Sequence, residues 1–114
     1  VYRWKIHDTY TGGVPDAFYC GPAGSLWVEY KYIKLPKRKT TVVTFGLSEL
    51  QQIWLTKMSD FQQTTILAVG WEQSAQVFYG PHVHKSATQD ELVHDALRFK
   101  ELAELITRHC LSGG

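Results

Sequence analysis

The stretch GGVPDAFYCGPAGSLWVEYKY, residues 12–32, places charged residues inside an apolar hairpin. Asp16 follows Pro15 at the start of "AFYC", and Glu29 and Lys31 sit within "SLWVEYKYI", where ionisable groups are costly to bury. The two β-rich runs are joined by "GPAG", so they predict a hairpin. Pro15 marks where the first run can begin, because proline cannot donate to a central ladder. In the second run, residues two apart share a face at a separation of about 6.6 Å. Leu26, Val28, Tyr30 and Tyr32 then face the core, while Glu29 and Lys31 project together on the outward side. The hairpin brings Asp16 toward Glu29.

The remaining chain alternates strand and helix patterns. "YRWKIH" (2–7) sets Tyr2, Trp4 and Ile6 against Arg3, Lys5 and His7, a strand with one buried face, and "DTYTGG" is turn chemistry. "KLPKRKTTVVTFG" begins as an exposed basic loop broken by Pro36 and closes on a short strand, "TTVVTF". From Ser48 the period becomes helical, with Leu50, Ile53, Trp54, Met58 and Phe61 on the repeat and Ser48 and Gln51 in a capping-box pattern. "TTILAVGW" reads as a central strand buried on both faces, and "AQVFYG" as its hairpin partner. Thr88 and Glu91 form a second capping box. It opens a helix running to about Cys110, with Leu92, Ala96, Phe99, Ala103, Ile106 and Cys110 on one stripe. That stripe either packs on the core or builds a dimer.

With 114 residues the chain is one domain, large enough to bury a core without staples. Cys20 and Cys110 form no CxxC pair, so neither a zinc knuckle nor a disulfide framework is indicated, which fits a reducing compartment. No run approaches the ~18 apolar residues of a membrane span, and no signal-peptide pattern opens the chain. A net charge of +1 conceals an asymmetry. Between Val28 and Gly46 five basic residues (Lys31, Lys34, Lys37, Arg38, Lys39) face one acid, Glu29; from Ser86 onward five acids outnumber three bases. The first region suits a polyanion.

Two carboxylates converging beside a lysine offer hard oxygen ligands to Mg²⁺. Such an ion generates a hydroxide nucleophile and stabilises the leaving oxygen of a phosphodiester, while the lysine orients water and offsets phosphate charge. Taken one at a time, a Glu-x-Lys strand is ordinary solvated surface and an Asp after Pro is ordinary turn chemistry. Other constellations are poorer. His82 and His84 form an HxH pair with no third ligand nearby, no nucleophile elbow supports serine catalysis, and Cys20 reads as core. Trp27 shares the Glu29 and Lys31 face and could cover the site.

Gly-Val-Pro-Asp (13–16), a hairpin of about a dozen residues, and Trp-Val-Glu-Tyr-Lys (27–31) together resemble the PD-(D/E)xK nuclease superfamily, and within it the VRR-NUC type. "LSELQQIWL" (47–55) is similar to the helix start that follows Glu-x-Lys there, with Gln51 three residues before Trp54. The likeness spans roughly residues 5 to 80. It implies an α/β restriction-endonuclease-like core, a mixed sheet of four or five strands flanked by helices, in a single nuclease domain over 1–114. The resemblance gives Asp16, Glu29 and the backbone carbonyl of Tyr30 as ligands of Mg²⁺ or Mn²⁺. Lys31 then positions or deprotonates the water, and Gln51 supports the site by contacting the lysine, the water or DNA.

Two departures stand out. Many relatives carry an acid on a helix before the Pro-Asp motif, and this chain starts too late to include it. The segment from Glu-x-Lys to the Gln helix is also longer and more basic than usual. Its Lys34, Lys37, Arg38 and Lys39 are candidates for phosphate contacts without sequence readout, and Lys5 and His7 for flanking the same groove. The resemblance implies an intracellular enzyme, cytoplasmic, nucleoid-associated or phage-encoded. It hydrolyses DNA as a homodimer, since two strands need two sites, with branched DNA of the Holliday-junction kind as substrate. Flap, nicking or restriction-type cleavage, and a non-catalytic DNA-binding module, are the alternatives.

Overall fold

A computed structural model describes residues 1–5 and 15–113, with only the backbone of residues 2, 4 and 5. His7 and the side chain of Lys5, two expected groove residues, therefore lie outside the described residues.

Strands β1 (Tyr2–Lys5), β2 (Ala17–Gly21) and β3 (Gly24–Tyr32) form an antiparallel meander. A short strand β4 (Val42–Thr44) and helix α1 (Glu49–Asp60) carry the chain across to β5 (Thr65–Trp71), which pairs parallel to β3. Next come β6 (Ser74–Tyr79), a 3-10 turn at Gly80–His82, β7 (Ser86–Thr88), α2 (Gln89–Val93), β8 (Leu97–Arg98) and α3 (Phe99–Ser112). The main sheet has the order β1-β2-β3-β5-β6-β8, and β4 pairs with β7 in a separate two-stranded ribbon. The expected mixed α/β sheet is thus present: five strands of four or more residues plus the two-residue β8 at one edge.

The centre of the sheet follows from its sequence. Every residue of β5 is buried, as a β-branched and apolar run with no polar alternation requires. Its even-numbered side chains, such as Ile66 and Ala68, pack with Leu26 and Val28 against Leu102 and Ile106 of α3. Its odd-numbered ones, Leu67, Val69 and Trp71, pack against Leu55 of α1 and against Phe45, Leu47 and Leu92. Both faces of the sheet are therefore covered.

Two helix expectations are corrected. Of the expected repeat, Leu50, Ile53 and Phe61 do not face the core, at 57%, 44% and 64% exposed; Trp54 and Met58 are half-buried, and Leu55 is the residue α1 buries. Burial of α1 is organised by polar anchors instead, as its inward line runs through Gln51 and Leu55, whose carbonyl accepts the Thr65 hydroxyl at 2.9 Å. The single helix expected over 88–110 is broken after Val93. Asp95 takes a left-handed φ of 55°, Leu97 joins the sheet opposite Ala75, and Arg98 caps a new helix with Glu101. The stripe that packs α3 on the core is Leu102, Ile106 and Cys110; Ala103 faces outward.

The β2–β3 turn is pinned by α3. Ala23 N–H donates to the Cys110 carbonyl at 2.9 Å, and His109 Nε2 meets the Ser25 carbonyl at 2.8 Å. A side chain at Gly21 would come within 2.6 Å of that same Cys110 carbonyl oxygen, so only glycine fits there.

Candidate active site

The register of β2 and β3 pairs Ala17 with Val28, so Asp16 lies one step past the ladder, at the level of Glu29. Its Oδ2 accepts the Tyr30 N–H at 3.0 Å, replacing the ladder bond that β2 would otherwise make. Trp27 and Ile33 turn their N–H groups toward the β5 side, donating to the Thr64 and Gly70 carbonyls. Backbone alternation thus turns the N–H and C=O of Tyr30 to the opposite side, where Asp16 stands. The carboxylate and the Tyr30 carbonyl share one margin of the strand.

Glu29 is not on an outward, solvated face as the alternation alone suggests. It is 1% exposed, sealed between the sheet and α1. Its Oε2 accepts a hydrogen bond from Gln51 Nε2 at 3.1 Å, while its Oε1 is buried with no partner among the described residues. Burial, and secondarily the negative charge of Asp16, push its pKa up to about 8; Lys31 acts in the opposite sense. A carboxyl buried with one oxygen unsatisfied is costly unless a cation completes it.

Gln51 reaches Glu29 because it is locked at the start of α1. Its Oε1 accepts the Ser48 N–H at 2.9 Å and its own N–H donates to Ser48 Oγ at 3.0 Å, the capping box that the sequence pattern predicts. Gln51 thus meets the site directly, through one N–H of its amide on Glu29. Lys31, two residues along β3, is half-buried on the same face, and no carboxylate lies within ion-pair distance of it among the described residues.

The donor set fits a hard divalent cation. Asp16, Glu29 with its partnerless oxygen, and the Tyr30 carbonyl supply oxygen only, which suits Mg²⁺ or Mn²⁺ rather than zinc. Among the described residues no group of three His, Cys, Asp or Glu converges, and His82 and His84 gather no third ligand. His84 instead packs edge-on to Phe78, with ring centroids 5.8 Å apart.

The basic segment continues directly from β3. Lys34, Lys37, Arg38 and Lys39 are all exposed, and none is within ion-pair distance of a carboxylate among the described residues. Ile33 and Leu35 anchor the segment in the core. The carbonyls of Lys39 and Thr41 accept the N–H groups of Asp90 and Gln89 at the start of α2. These four cations therefore sit on a tethered loop beyond Lys31.

Two features escape a reading of the sequence. Tyr19 and Tyr30 meet hydroxyl to hydroxyl at 2.6 Å behind the site. Burial and this partner hold the Tyr30 phenol protonated well above its ordinary range. Trp27, a possible cover of the site, lies between Phe18 and Trp54, with ring centroids 4.5 and 5.0 Å away, and joins β3 to α1. The hairpin register sets Phe18 opposite Trp27, whereas the Trp54 contact depends on where α1 lands.

No protein-family profile matches the chain, and no curated protein matches it by sequence. Among solved structures it is similar to Hjc of Archaeoglobus fulgidus, a Holliday junction resolvase from an archaeal hyperthermophile. The match has a TM-score of 0.58 at 15% identity and covers 89% of this chain and 84% of that one. At that identity the likeness shows the fold: a restriction-endonuclease-like α/β core.

Proposed function

We propose that the chain is a divalent-metal-dependent DNA endonuclease of the PD-(D/E)xK kind, selective for branched DNA and active as a homodimer. The observation that carries this is the pairing of Asp16 with a buried Glu29 whose Oε1 has no partner, with Lys31 on the same strand face. The fold shared with a Holliday junction resolvase supports the branched substrate.

In this reading Asp16, Glu29 and the Tyr30 carbonyl hold Mg²⁺ or Mn²⁺, which when bound supplies a Lewis acid at the phosphate. Lys31 orients the attacking water and offsets phosphate charge. Gln51 holds one oxygen of Glu29, leaving the other available. Lys34, Lys37, Arg38 and Lys39 neutralise phosphates flanking the cut. A homodimer presents two sites to two strands, and the exposed Leu50, Ile53 and Phe61 of α1 supply an apolar face for it.

The test is cleavage of a four-way junction, a flap and a linear duplex, each in Mg²⁺, Mn²⁺ and EDTA. Junction cutting with either metal and none in EDTA is expected; binding without cutting in every condition points to a non-catalytic module. Asp16→Ala and Lys31→Ala should each lower the rate by about 10²–10⁴-fold with circular dichroism unchanged. A parental rate in either variant removes that residue from the site.

A further inference from the structure

We infer that Ser48 is a positioning residue for Glu29, acting through Gln51, so that the N-terminal cap of α1 sets the geometry of the carboxylate. This rests on the reading of Asp16 and Glu29 as a metal site. Three bonds carry it. Ser48 Oγ accepts the Gln51 N–H at 3.0 Å, Ser48 N–H donates to Gln51 Oε1 at 2.9 Å, and Gln51 Nε2 donates to Glu29 Oε2 at 3.1 Å. The two ends of a planar amide are thereby committed to different partners. Flipping or swinging the Gln51 side chain breaks its bond to the Ser48 N–H and its bond to Glu29 together, while Ser48 Oγ, holding the Gln51 backbone N–H, fixes the first turn that brings all three groups into register.

A glutamine on a frayed first turn has several rotamers to lose before it can hold a carboxylate; with Ser48 Oγ fixing that turn, the Ser48 N–H stays within reach of Gln51 Oε1 and the entropic cost is met in advance. On the other side, capture of Glu29 Oε2 decides which oxygen is left partnerless, and that oxygen is Oε1. The Trp27–Trp54 contact at 5.0 Å, one turn further along α1, holds the helix against β3 so that the reach of Gln51 is fixed. Ser48 touches neither substrate nor metal in this scheme.

The molecule contains its own control. Thr88 and Glu91 build the same capping box on α2, and neither hydrogen-bonds to Asp16, Glu29 or Gln51. The experiment is a Mn²⁺ titration of the full chain without DNA, followed by electron paramagnetic resonance, with thermal melts in parallel. Ser48→Ala should weaken Mn²⁺ binding about fivefold, the equivalent of a typical cap loss, and Ser48→Thr should restore it to within about twofold. Ser48→Gly should weaken binding likewise while its melting temperature barely moves, because glycine is a tolerable N-cap. Thr88→Ala should lower the melting temperature as Ser48→Ala does yet keep parental Mn²⁺ affinity. Parental affinity in both Ser48→Ala and Ser48→Gly, or an equal loss in Thr88→Ala, overturns the inference. A parental chain that binds no Mn²⁺ overturns the metal-site reading itself, and the role of Ser48 falls with it.

Discussion

Glu29 shows how a single residue can link folding to function. Its pKa of about 8 in the folded chain, against an ordinary 4.5, arises mainly from burial and then from Asp16. The folded state therefore binds this proton more tightly than the unfolded state does. Between pH 4.5 and 8 the unfolded chain has released the proton and the folded chain has not. The contribution of Glu29 then falls steadily as pH rises through that window and levels off above it. Melting curves in EDTA from pH 5 to pH 8.5 should show a declining melting temperature, all other groups being common to the control. Glu29→Gln should flatten the slope and melt higher than the parent at pH 8; a parental slope in Glu29→Gln assigns it elsewhere. The same protonation makes divalent binding a competition with a proton, tightening about tenfold per pH unit below 8. In the sequence, the positions of Asp16 and Glu29 were legible from the hairpin and its alternation. Burial of Glu29 was not, because it depends on α1 closing over that face from twenty residues away.

At the level of elements, α1 separates what periodicity can and cannot reveal. The sequence pattern marks its start correctly, since Ser48 and Gln51 form the capping box it predicts. The pattern also marks an apolar stripe, but α1 turns Leu50, Ile53 and Phe61 to solvent and seats Gln51 and Leu55 against the sheet. A polar residue on the buried line is what a hydrophobicity repeat misreads, and here that residue, Gln51, bonds to Glu29. Helix α3 fails differently: a stripe continuous in sequence is cut by the left-handed Asp95 and by pairing of Leu97 with Ala75, both tertiary choices. The exposed stripe of α1 suits a second copy. Glu49 and Lys57 lie four residues on either side of Ile53, so two α1 helices packed antiparallel about Ile53 set opposite charges against each other. Leu50→Glu with Ile53→Glu should give a monomer in light scattering at a concentration where the parent is a dimer. Both side chains are solvent-facing in the single chain, so stability should change by no more than about 0.5 kcal/mol. The monomer should nick a four-way junction instead of cutting both strands. A double variant that remains dimeric places the interface on another face.

Across the whole molecule, the order of motifs in the chain is reproduced as an order in space. Asp16, Glu29, Lys31 and the basic loop follow one another along β2 and β3, where the parallel pairing of β3 with β5 makes the centre of the sheet. The fold class was legible because the hairpin, the buried strand and its partner each have a strong local signature. The short strand in TTVVTF was legible and is β4, but its partner β7 and the β8 edge were not, as strands of two or three residues are largely specified by what they meet. Charge follows the same geometry. The four exposed cations of the loop are held by core anchors at Ile33 and Leu35 and by the start of α2, so they stand on the surface as a fixed group. Replacing Lys37, Arg38 and Lys39 together with alanine removes up to three phosphate contacts. Since each neutralised phosphate contributes about 0.9 to the slope of log affinity against log salt, the slope should become shallower by about 2 to 3. Junction binding by the triple variant should weaken most at low salt and converge on the parent as salt rises. An unchanged slope with weaker binding at every salt concentration would mean that the loop supports the fold and does not contact phosphate.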